Sequence, residues 1–142
     1  MKSDLFYRYV FPYMQSNMYV TIEDREALII DPHSSNALIE RFQQANIERL
    51  LILLTHEHFD HTSGVNFYRR NITETYVIAH EQCASYIAVP KHNRPLTLLT
   101  MVDDTEREAL LSFYYSIDVE GISVDWCVTE ETELCWRGHE IR

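Results

Sequence analysis

"THEHFDHTSG", residues 55–64, decides the reading of this chain. Between His56 and His61 it gathers three histidines with Glu57 and Asp60. Written as spacing, it is His56-x-His58-x-Asp60-His61. His56 and His58 are two apart, so in an extended segment they point to the same side. Asp60 and His61 follow where the chain turns toward a helix, which lets them converge from another direction. Neutral imidazole and carboxylate are the ligand types that zinc and other borderline divalent metals accept. Without a cation these groups would need full solvation, because burying them unpaired is costly. Glu57 lies between two same-facing histidines and is expected to point away; Phe59 is expected to pack on the core.

Outward from this stretch the pattern is layered. "RLLILLT" (Arg49–Thr55) is an apolar run that reads as a strand covered on both faces, so the loop emerges from a strand's carboxyl end. In α/β folds that end is where ligands bind. Upstream, "LFYRYVF" (Leu5–Phe11), "NMYVTIE" (Asn17–Glu23) and "ALIIDP" (Ala27–Pro32) read as strands opening a mostly antiparallel sheet. "SSNALIERFQQANI" reads as a serine-capped helix. Downstream, "TSGVNFYRR" predicts a short helix capped by Thr62 or Ser63, "TYVIAH" a buried strand and "EQCASYI" a helix. Residues 88–121 are irregular around Pro90 and Pro95, then helical from the acidic "DDTE". The aromatics Tyr86, Phe113, Tyr114 and Tyr115 would serve as helix core or as a lid. The final segment, residues 122–142, alternates as two or three strands.

Composition bounds the alternatives. The 142 residues are 46% hydrophobic and fit one domain, 1–142, with 88–121 as a helical insertion or lid. A net charge of −10 argues against nucleic-acid or anionic membrane partners, which need clustered Lys and Arg. No apolar run approaches membrane-spanning length, and a cytoplasmic location is the expectation. Cys83, Cys127 and Cys135 are odd in number and without CxxC spacing, so no disulfide framework is implied; Cys127 and Cys135 read as buried small hydrophobes in preference to zinc ligands.

The stretch from Thr55 to Gly64 resembles the T-H-x-H-x-D-H-x-x-G motif of the metallo-β-lactamase superfamily. "NMYVTIEDREALIIDP" similarly resembles the hairpin that opens that fold, ending at Asp31. The resemblance implies an α/β (α+β) fold, the αββα sandwich, of which this chain would form the first half plus the insertion. It also implies two zinc ions per complete site, with iron or manganese compatible with the same ligands. His56 and His58 would hold the first and Asp60 and His61 the second, with Asp60 also aiming the attacking water. Asp31 would orient the ligands from behind, and Thr55 and Gly64 would be structural. A glutamate marks the oxygen-reducing branch where this chain has His58. The absence of an export signal and the acidic charge disfavour the secreted and RNA-processing branches. The implied reaction is metal-assisted hydrolysis of an ester, thioester or lactone of a small molecule.

The family's later elements, a "TPGH"-like histidine, a bridging aspartate and a further histidine, have no match here. His80 and His92 read as ordinary hydrogen-bonded histidines, and "RGH" at His139 lacks the following Thr or Ser. The expectation is an N-terminal portion of a larger enzyme, ending before the third metal motif. The alternative is a truncated, inactive metal-binding or interaction module, self-associating through its incomplete sandwich.

Overall fold

The computed structural model describes residues 6–95, 98–116 and 119–142. Leu5, the first residue of the expected opening strand, lies outside them, as do residues 96–97 and 117–118 of the expected insertion. The strands β1 (Tyr7–Val10), β2 (Asn17–Glu23), β3 (Glu26–Ile30), β4 (Arg49–Leu53), β5 (Glu74–His80) and β6 (Trp126–Val128) form one sheet in that order. The first three pair antiparallel, whereas β3 to β6 pair parallel, so the sheet is mixed and not mostly antiparallel. The reason lies in the connections. A two-residue turn at Asp24 and Arg25 can only reverse the chain, while the helices after β3 and β5 carry it back to start a parallel strand.

Helices α1 (Asn36–Gln44), α3 (Val65–Asn71) and α4 (Glu81–Ile87) supply the partners of the main core. Alternate strand residues Met18, Val20, Ala27, Ile29, Leu50, Ile52, Val77 and Ala79 are buried there with Leu38, Phe42, Tyr68 and Ile87. Each fully buried Leu or Ile stabilises the fold by about 2 kcal/mol. The opposite face is less covered. In register across it run Tyr19, Ile30, Leu53, Ile78 and Trp126. Tyr19 and Trp126 are exposed, and the other three are half-buried. β4 is therefore not covered on both faces as its apolar run suggests. Among the described residues, only the small hairpin β7 (Leu134–Trp136) and β8 (His139–Ile141) adds a second sheet, joined by Arg137 and Gly138, both at positive φ. Helices on one face and a partial sheet on the other make this the first half of an αββα sandwich.

Residues 98–116 help form a second, smaller core. Helix α5 (Asp104–Ser116) begins where Asp103 Oδ1 accepts the Glu106 N–H at 2.9 Å. Its Leu110 joins Leu98, Val102, Phe11 and Phe59, with Phe113 packed against them, while Tyr115 faces solvent. Two further expectations change. Cys83 is buried, but Cys127 and Cys135 are exposed, because edge strand β6 and the outer hairpin leave one side of each strand to water. Neither Thr62 nor Ser63 caps α3: a four-residue helix α2 (Phe59–Thr62) forms inside the motif, and Gly64 precedes α3.

Candidate metal centre

β3 and β4 are adjacent, parallel and in register, with Ile30 opposite Leu53. The next residues of both therefore emerge side by side at one sheet edge, and the Asp31 N–H reaches Leu53 O at 3.0 Å. Asp31 sits at φ 55, a left-handed conformation that Asp tolerates better than most residues. Its nearly buried carboxylate accepts three hydrogen bonds. Thr55 N–H donates to Oδ1 at 2.8 Å, Thr55 Oγ1 to Oδ2 at 2.6 Å, and His61 Nδ1 to Oδ2 at 2.9 Å. Asp31 thus stitches the first strand of the motif to the far end of the loop.

The other groups surround this anchor. His56 Nδ1 lies 2.8 Å from Thr55 Oγ1, and the His56 ring centroid is 4.1 Å from that of His61 and 4.7 Å from that of His58. Asp31, His56 and His61 each bring a ligand-type atom within 4.8 Å of the others. His58 is outside that tight group and exposed. Helix α2 presents Asp60 and His61 on consecutive residues, with Asp60 Oδ2 3.2 Å from His61 Nε2. Phe59, between them and His58, is buried in the second core, which pins the helix.

Electrostatics follow from this crowding. Held between Asp31 first and Asp60 second, the His61 imidazole is pushed up from 6.5 to about 9. Burial lowers His56, and the neighbouring His61 and His58 lower it further. Burial raises the Asp60 carboxyl, but the hydrogen bond and charge of His61, joined by the Ser16 hydroxyl and the backbone, outweigh it and hold the group below its ordinary value.

A cation fits this arrangement. Asp60 Oδ1 is buried without a hydrogen bond of ordinary geometry among the described residues; besides His61, the Ser16 hydroxyl acts on this carboxylate, and a cation would complete its coordination. His61 Nε2 and Asp60 Oδ2 face each other across a gap that a proton or a metal ion can share. Asp31 is less suited to direct ligation, since its oxygens are already taken by Thr55 and His61. The donors are imidazole nitrogen and carboxylate oxygen, the set zinc, iron and manganese accept.

The remaining histidines stand elsewhere. His80 ends β5 and accepts the Gln82 N–H at 3.2 Å; His92 bonds Tyr86 O and stacks on the Tyr86 ring. His139 pairs with Glu23 at 3.0 Å. Glu23 faces Glu26 at the start of β3, so His139 sits at the sheet edge opposite the metal loop, about 16 Å away at ~3.3 Å per residue. His33, which no spacing rule singles out, is buried beside the site. Its ring packs on Phe11, and its carbonyl accepts the Tyr68 hydroxyl at 3.0 Å. A cavity of about 260 Å³ lies behind α2, walled in part by Ser35, Phe59, Ser63, Arg70 and Phe113; none of the candidate ligands lines it.

The family model of the metallo-beta-lactamase superfamily matches residues 12–122, most of the chain and all of this site. The chain belongs to that superfamily. Within it, this metallo-beta-lactamase-fold chain is 28% identical over 104 residues to a hydroxyacylglutathione hydrolase of Albidiferax ferrireducens, covering 73% of the chain and 37% of that protein. A hydroxyacylglutathione hydrolase of Buchnera aphidicola subsp. Baizongia pistaciae is 44% identical over 41 residues, 29% of the chain and 16% of the relative. Among solved structures, the BLEG-1 B3 metallo-beta-lactamase superposes with a TM-score of 0.65 at 25% identity, covering 95% of this chain and 58% of that one. This superfamily chain therefore spans little more than a third of the first relative and just over half of the solved structure. No described helix is long and apolar enough to cross a membrane.

Proposed function

We propose that the chain carries the first ligand cluster of a divalent-metal hydrolase acting on a small-molecule thioester, with esters and lactones as related substrates. The observation that carries this reading is the buried Asp60 Oδ1, without a hydrogen bond of ordinary geometry, beside His61 and His56, at the edge where two parallel strands end. The thioester preference is drawn from the hydroxyacylglutathione hydrolases that the chain is similar to. His56 and His58 are assigned to one zinc ion and Asp60 and His61 to a second, with Asp31 holding the ligands in place.

When bound, such cations lower the pKa of water and polarise a carbonyl. The chain's own residues then have defined tasks. Asp31 keeps His61 Nδ1 protonated, so that Nε2 is the atom turned toward Asp60. Asp60 offers two oxygens, Oδ2 beside His61 and Oδ1 without a hydrogen bond of ordinary geometry. Phe59 and its apolar neighbours hold α2 rigid, so that these groups keep their separation without reorganising.

The half-exposed apolar row from Tyr19 to Trp126 favours a second reading, in which these 142 residues act as a metal-binding or interaction module without turnover. Zinc content and hydrolysis of a generic thioester separate the two. Two zinc ions per chain, with turnover abolished in His58→Ala, support the hydrolase. Substoichiometric zinc with no turnover refutes it for this chain and supports the module.

A further inference from the structure

Thr55 has one hydroxyl proton and two close neighbours for its oxygen. Asp31 Oδ2 lies at 2.6 Å and His56 Nδ1 at 2.8 Å. A carboxylate oxygen cannot sit 2.6 Å from a hydroxyl oxygen unless a proton lies between them, since both would otherwise present lone pairs. The Thr55 proton therefore goes to Asp31. The contact with His56 must then be made by the imidazole, whose Nδ1–H donates to Thr55 Oγ1. This leaves the His56 lone pair on Nε2. On the other side, Asp31 Oδ2 also accepts from His61 Nδ1 at 2.9 Å, which turns the His61 Nε2 outward in the same way. One carboxylate oxygen thus sets two imidazoles, His61 directly and His56 through a hydroxyl.

We infer that Thr55 is a positioning residue for the metal centre: its hydroxyl relays Asp31 to His56 and fixes His56 as the tautomer that presents Nε2. Histidine ligands generally need their other nitrogen tied to a partner, and loss of that partner costs about 10- to 100-fold in metal affinity. The backbone N–H of Thr55, bonded to Asp31 Oδ1 at 2.8 Å, holds the residue in place independently of its side chain. The hydroxyl can therefore be removed while the loop stays anchored. No equivalent ring partner is present for His58 among the described residues, so the relay distinguishes His56 from its neighbour two positions on. Thr55 is itself exposed, which makes the hydroxyl, not burial, the link that carries the effect.

The inference rests on the proposed metal centre but is read without any activity. In metal-free protein labelled with ¹⁵N-histidine, long-range ¹H–¹⁵N spectra report which ring nitrogen of His56 carries the proton. The wild-type chain is expected to show His56 protonated at Nδ1; a His56 protonated at Nε2 overturns the inference with no variant needed. Thr55→Val is expected to lose that preference and to bind zinc about 10-fold more weakly, while Thr55→Ser, which keeps the hydroxyl, restores both. Circular dichroism identifies a misfolded valine variant, in which case Thr55→Ala takes its place. An unchanged His56 tautomer in the hydroxyl-free variant, with water standing in for the hydroxyl, also overturns it. Zinc binding without thioester turnover would count against the proposed activity, whereas the tautomer of His56 bears on the relay alone.

Discussion

Replacing Gly64 with alanine tests how closely the metal loop is built onto the chain beneath it. Gly64 has φ −86 and ψ −11, an ordinary conformation, so backbone freedom is not the reason for glycine here. Room is the reason. A Cβ at this position would lie 2.6 Å from the His33 carbonyl carbon and 2.9 Å from its Cα and O. Ordinary contact begins near 3.4 Å, so the closest approach is about 0.8 Å too short. The obstructing atoms are backbone and cannot swing aside as a side chain would. They are also tied from both directions, by the Gly64 N–H to Pro32 O at 2.9 Å and the Tyr68 hydroxyl to His33 O at 3.0 Å. Overpacking of this kind costs about 1–3 kcal/mol, and weakening one of those hydrogen bonds adds about 1 kcal/mol. At roughly 2–4 °C per kcal/mol, the melting temperature should fall by about 10 °C. Asp31 precedes His33 by two residues, so its hold on Thr55 and His61 should loosen and zinc affinity drop about 10-fold in parallel. The assay is thermal melting by circular dichroism together with a zinc titration. Gly138→Ala is the control: nothing lies within 4 Å, but φ is +82, so about 1 kcal/mol of stability should go with no change in zinc affinity. A Gly64→Ala protein that melts within about 2 °C of wild type and binds zinc equally well would refute the close-approach argument.

Three further outcomes are expected. His61 is raised from 6.5 to about 9 by Asp31 and then Asp60, so its contribution to the metal-free fold is complete below pH 6.5 and disappears as pH rises through about 9. That contribution is on the order of 3 kcal/mol. Urea denaturation of chelator-treated protein should show stability falling by that order between pH 6 and pH 9.5, with the loss absent in His61→Asn; stability rising over this range would contradict the assignment. Zinc, by contrast, must displace the His61 Nε2 proton, so its affinity should strengthen as pH rises toward 9. His139→Ala removes a partly exposed pair with Glu23, worth at most about 1 kcal/mol, and should leave zinc binding unchanged. A 10-fold loss in zinc titration would place His139 in the centre after all.

Much of the architecture is written in local pattern. β2 coincides with "NMYVTIE" and α4 with "EQCASYI", because alternation and helical spacing each have one dominant solution over seven residues. Ser35 caps α1 by accepting the Leu38 N–H at 3.2 Å, the bond its residue type foretells. Less legible were features set by what lies across the sheet. The apolar run of β4 looks equally buried along its length, yet Leu51 and Leu53 are half-exposed because, among the described residues, a short hairpin is what covers that face. Cys127 and Cys135 carry no mark in their own neighbourhood of the open side they face. His33 is buried by Phe11 and Tyr68, partners 22 and 35 residues away, which no local window contains.

The sequence by itself determined the chemistry of the loop. Ligand types and spacing depend only on neighbours along the chain, so His56, His58, Asp60 and His61 and their likeness to a metal motif are readable without a fold. Tertiary structure decided how those groups are held. The alignment of Ile30 with Leu53 brings Asp31 beside Thr55 and His61, the left-handed turn at Asp31 aims its carboxylate, and the Thr55 hydroxyl passes that anchor on to His56. The hydrogen bonds that Asp31 accepts are set at a scale of about 3 Å, between residues that the sequence places 24 to 30 positions apart.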